Sequence, residues 1–109
     1  MIRCAVTEHV ALLASAEEQI AYERNVPHVP VPSEIIEMFV TDLYHPKDPD
    51  YIESFSEAEL KDMARLYGLL CDASEIISGT GIHSVTDLLK TPEWRRVMKY
   101  SKDLLVNLR

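Results

Sequence analysis

Residues 42–60, DLYHPKDPDYIESFSEAEL, set Asp42, Asp48, Asp50, Glu53, Glu57 and Glu59 around His45, Pro46 and Pro49. Carboxylates and an imidazole at this density suit calcium binding, transition-metal ligation or acid–base catalysis. With Asp48 as the first position of a calcium loop, Asp50 falls third, Ser54 seventh, Ser56 ninth and Glu59 twelfth. Ile52 then stands where a ligand is needed, and Glu53 where the loop requires glycine. A metal site from Asp42, His45, Asp48 and Asp50 lacks a second histidine. His9, His28 and His83 are scattered, and no HxxxH or HxxEH spacing occurs. Cys4 and Cys71 fit no CxxC pattern and read as thiols of a reducing compartment.

Paired-carboxylate catalysis needs two acids in environments that drive their pKa values apart. Here the acids alternate with prolines or fall on solvent-facing helix positions, the pattern of a solvated face. Cys71 lies on an apolar helical stripe, no serine stands in a GxSxG context, and GTG at 79–81 reads as a helix stop. No catalytic residue, metal or cofactor is expected, and the chain reads as a binding protein rather than an enzyme.

Charge supplies the stronger signal. From Glu8 to Glu75, fifteen acidic residues face four basic ones, a local balance of −11, whereas from Ile76 to Arg109 six basic residues face three acidic ones. A field of this sign repels nucleic acid and steers a basic partner to the first two-thirds of the chain. The cations Arg95, Arg96, Lys99 and Lys102 make a solvated basic face, with Trp94 turned to the core. The candidate partner-binding residues are Glu37, Asp42, Tyr44, Asp48, Asp50, Tyr51 and Glu53. Carboxylates would supply steering and pairing to arginine or lysine, and the two tyrosines would supply buried area.

The elements that must carry these residues are helical. A length of 109 residues suits a single helical domain spanning 1–109. Apolar spacing predicts a first helix over about 8–24 with a break near Ser15, then an extended, proline-rich strap, NVPHVPVPS. Ser33 is expected to cap a second helix that runs to Tyr44. FSEAEL carries a capping box, Ser56 with Glu59, and a hydrophobic staple, Phe55 with Leu60. It therefore starts a third helix at Glu57 whose inward residues are Leu60, Met63, Ala64, Tyr67, Leu70 and Cys71, with Gly68 placed for close helix packing. A short helix follows Ser84. The last is capped by Thr91 and buries Trp94, Val97, Met98, Ser101, Leu105 and Leu108. The expected fold class is an all-α, single-domain bundle of about five helices. The N-terminal apolar run, broken by Glu8 and His9, is too short for a signal peptide or a membrane span, so a cytoplasmic protein is expected.

The stretches ASAEEQIAYERNVPHVPVPSEIIEMFVTDLYHP and FSEAELKDMARLYGLL, within a small acidic helical chain, resemble bacterial immunity proteins of contact-dependent growth inhibition and related polymorphic toxin systems. The resemblance implies a stoichiometric inhibitor that binds a cognate toxin, often a basic nuclease, and blocks its active site or substrate groove. The alternative is a helical regulatory or adaptor protein, possible as a homodimer through an apolar groove of Ile36, Val40 and Tyr44.

Overall fold

The computed structural model describes residues 2–109. Seven α-helices and one π-helical turn account for most of the described chain, and no strand occurs among the described residues. The helices are α1 (Ile2–Ala14), α2 (Ala16–Asn25), α3 (Val31–Glu37), α4 (Pro49–Glu53), α5 (Glu57–Thr80), α6 (Val85–Leu88) and α7 (Pro92–Leu108). The π-helical turn, Met38–Leu43, continues α3. Among the described residues no helix is long and apolar enough to cross a membrane.

Capping chemistry sets most boundaries. Ser15 is extended between α1 and α2, and its Oγ accepts from Glu18 N at 3.2 Å, so the expected break is a full change of helix. At α5 the capping box closes in both directions: Ser56 Oγ accepts from Glu59 N at 3.1 Å, and Glu59 Oε1 accepts from Ser56 N at 2.8 Å. The helix ends at Thr80 and is capped by Gly81 in the left-handed region (φ 70°), within the GTG expected to stop it. Thr91 and Ser84 cap α7 and α6. Two boundaries differ from expectation. Helix α1 begins at Ile2 rather than Glu8. Helix α3 begins at Val31 with Pro32 in its first turn, leaving Ser33 inside the helix and not at its cap. Proline in a first turn sacrifices only N–H groups that lack helical partners anyway, which is why the prolines start this helix instead of delaying it. The strap shrinks to residues 26–30 and bends, Val29 N donating to Val26 O at 3.4 Å.

Helix α7 is the hub, packing against both α1 and α5, while α3 lies on α5 and α6. Val6, Val10 and Leu13 meet Trp94, Val97 and Leu104 in one core with Ile35, Phe39, Met63, Leu66 and Leu70. The buried stripes are rotated from those expected. In α5, Leu66, Ala73 and Ile77 are buried and Ala64 is exposed. In α7, Leu104 is buried, and Leu105 and Met98 are only half-buried. The long central helix sees neighbours on two sides, so a single sequence stripe does not define its inward face.

Two polar locks tie the elements together. Gln19, with no exposed surface, donates from Nε2 to Leu12 O (3.0 Å) and Leu13 O (3.1 Å) and accepts from Trp94 Nε1 (2.9 Å). One amide thus satisfies carbonyls at the end of α1 and the indole of α7. Arg3 forms the second lock, a two-pronged pair with Glu59: Nη1 to Oε1 and Nη2 to Oε2, both 2.7 Å. It also donates to Leu108 O at 3.1 Å and Ser54 O at 3.3 Å, and its Cζ lies 5.5 Å from the Phe55 ring centroid.

Gly68 departs from the close-packing expectation. A methyl built there meets nothing within 4 Å, and the position is exposed in mid-helix. Gly68→Ala is therefore expected to stabilise the fold by about 1 kcal/mol through lower unfolded-state entropy. An upward shift in the urea midpoint at unchanged slope would register it, whereas a downward shift would contradict the open space seen here.

Candidate functional site

The acidic loop has a folding role that its composition hides. Asp48 is the N-cap of α4, its Oδ1 accepting from Asp50 N at 2.9 Å, with Pro49 as the first helical residue. This five-residue helix exists to drive Tyr51 inward. Tyr51 is 1% exposed, its hydroxyl donates to Met63 Sδ at 3.7 Å, and burial pushes its pKa up to about 12. Tyr44 is half-buried between the Phe39 ring (centroids 5.7 Å apart) and the Tyr67 ring (4.7 Å). The structure thus corrects the expectation for Tyr51, which is a core residue, while Tyr44 is half-buried and stacked into an aromatic row.

Of the sequence-selected acids, Glu37, Asp42, Asp48, Asp50 and Glu53 are all exposed. Asp42 and Asp48 come together with His45 on one cleft of about 290 Å³, floored by Ile2, Ala5, Leu43 and the edge of Tyr51. A second depression of about 300 Å³ is lined by Ala5, Glu8, His9, Leu12, Met38 and Leu43. Ala5 and Leu43 belong to both, so the two form a single groove between α1 and the π-helical turn. Glu37, Asp50 and Glu53 line neither. Sequence reasoning missed Glu8 and the apolar floor, whose signal is the 3-4-3 spacing of Ile2, Ala5, His9 and Leu12 along α1.

The groove owes its shape to the π-helical turn. Tyr44 N donates to Phe39 O at 2.8 Å, a five-residue repeat that replaces the four-residue repeat of α3. At this junction His9 Nε2 lies 2.8 Å from Ile35 O, and because a carbonyl only accepts, that nitrogen carries the proton. Its ring stacks on Phe39 at 6.4 Å. Burial holds the His9 pKa below the ordinary 6.5, opposed in part by the bond to Ile35. A lowered folded-state pKa means that the unfolded chain binds the proton more readily. The His9 contribution is accordingly complete above pH 6.5 and declines as pH falls toward the folded-state pKa. His9→Gln, which keeps a neutral donor, is expected to flatten the loss of stability between pH 7.5 and 5.5 in chemical denaturation.

Among the described residues the ion pairs are Arg3–Glu59 and Lys90–Asp87. Glu8, Asp42 and Asp48 form no ion pair among the described residues, so the groove rim is acidic. Groups of three or more His, Cys, Asp or Glu able to hold a metal do not occur among the described residues, and His45 turns Nε2 onto Asp42 O at 2.8 Å. Comparison with family models, curated proteins and solved structures finds no match to this chain.

Proposed function

We propose that the chain is an immunity-type inhibitor that binds and neutralises a basic toxin through the groove between α1 and the π-helical turn. The supporting observation is the pairing of an apolar floor, formed by Ile2, Ala5, Leu12, Met38 and Leu43, with an unpaired carboxylate rim of Glu8, Asp42 and Asp48. Such a surface suits an apolar side chain flanked by arginine or lysine. The floor excludes water from the contact, and the carboxylates then pair with cations in a less polarisable setting than bulk solvent. Glu37, Asp50 and Glu53 lie outside the groove and act at longer range, raising the encounter rate. The apolar anchors take the part that Tyr51 was expected to play.

Association with a basic toxin domain, followed by stopped-flow fluorescence, tests the reading. The on-rate is expected to fall steeply between low and physiological salt, and about tenfold further in Asp42→Asn with Asp48→Asn. Asparagine preserves the cap at position 48, so the pair of substitutions removes charge and leaves α4 intact. An on-rate indifferent to both salt and substitution would overturn this placement.

A further inference from the structure

A second cleft, sharing no residue with the groove, opens between α5 and α7. Its volume is about 250 Å³, and it is lined by Arg65, Leu69, Arg96, Lys99, Tyr100 and Asp103. Three cations therefore converge on one concavity in a chain of net charge −7. None of the three belongs to an ion pair among the described residues. Asp103, and Asp62 on the far side of Tyr100, offset their mutual repulsion in part, and the three cations still outnumber the two carboxylates. The wall behind them is fixed: Tyr100 Oη donates to Asp62 O at 2.8 Å, and the Arg65 Cζ lies 5.8 Å from the Tyr100 ring centroid. Stacked in this way, the Arg65 guanidinium keeps its N–H edge free.

We infer that this cleft binds a phosphate monoester dianion, with Arg65, Arg96 and Lys99 donating to its oxygens and its organic portion lying against Leu69 and Tyr100. Cations approaching from two helices suit a tetrahedral group with three free oxygens. A planar carboxylate, by contrast, is satisfied by the fork of a single arginine. The excess of cations favours an anion, and a cleft of about 250 Å³ has room for a phosphate with one small ring. A polyanionic strand is disfavoured by the acidic remainder of the surface.

Titration of the full chain with phenyl phosphate, followed by amide NMR at constant ionic strength, tests the inference, with sodium chloride, inorganic phosphate and benzoate as comparison probes. Phenyl phosphate should give saturable shifts confined to the segments around residues 65–69 and 96–103. Arg96→Gln should weaken it about tenfold, by loss of a charge-assisted donor. Arg95→Gln should leave it unchanged, because Arg95 carries the same charge but lies outside the cleft, its Nη2 3.4 Å from Lys90 O. Inorganic phosphate binding as tightly as phenyl phosphate would identify the free ion as the source of the group, and weaker binding would identify an ester. Benzoate matching phenyl phosphate, shifts no larger than those with chloride, or equal loss in the Arg95 and Arg96 variants would overturn the site.

Discussion

Gln19→Ala is expected to destabilise the protein by about 4 kcal/mol, the sum of several buried groups losing their partners together. The indole N–H of Trp94 would be left without an acceptor in a site with no solvent access. The Leu13 carbonyl at the end of α1 would lose its donor, and the missing side-chain atoms would leave a void between α1, α2 and α7. At this chain length the melting temperature should drop by roughly 15 °C. A partner substitution separates the causes. Trp94→Phe removes the donor that needs Gln19, so the double variant should be markedly less unstable than the sum of its singles. Strict additivity in that cycle would show that the bond carries no coupling.

The Arg3 lock gives the second large effect, with a characteristic pH signature. Arg3 beside it holds the Glu59 carboxyl well below the ordinary 4.5, at about 2. A depressed folded-state pKa contributes stability that is complete above about 4.5 and is lost as pH falls through 2, since the unfolded chain takes up the proton first. The pair is partly exposed, with Arg3 at 39%, so solvent screening limits its value. Arg3→Ala is expected to cost about 2 kcal/mol near neutral pH, including the lost donors to Leu108 O and Ser54 O. Glu59→Gln retains a capping-box residue and should cost about 1 kcal/mol. Denaturant titrations at pH 7 and pH 2.5 check both: the gap between wild type and Arg3→Ala should narrow at the lower pH. A gap that stays constant would remove Glu59 ionisation from the explanation.

Signals confined to one turn of chain were legible before the fold was known. Ser56 with Glu59, Thr91 with Pro92, Ser84 and Ser15 each announce a helix start through a side chain that accepts from a backbone N–H three residues on. What escaped depends on distant residues. Arg3 looks like the leading charge of a short apolar run, and only the return of residues 59 and 108 gives it a partner. Gly68 invites a packing explanation that the open space around it removes. Helix α4 is too short to show a period, so its acids read as loop although Asp48 is a cap and Tyr51 is core. The π-helical turn is equally hidden. An inserted residue changes the repeat for a single turn, displacing Leu43 to the groove floor, and the pattern Ile35, Phe39, Leu43 gives no warning. For the candidate site, the sequence therefore marked Asp42 and Asp48 of the rim but neither Glu8, the apolar floor nor the turn that shapes it.

The pairing of α1 with α7 also governs how the chain comes to be folded. Val6, Val10 and Leu13 are covered largely by a helix that starts at Pro92. During synthesis, at roughly 5–20 residues per second, that apolar face waits on the order of ten seconds for its cover. Local helices can form in microseconds meanwhile, but α1 and α7, separated by most of the described chain, must meet before the core closes. Folding should accordingly be slower than in a bundle whose helices pack only on their sequence neighbours, and α1 is the helix whose apolar face stays uncovered longest.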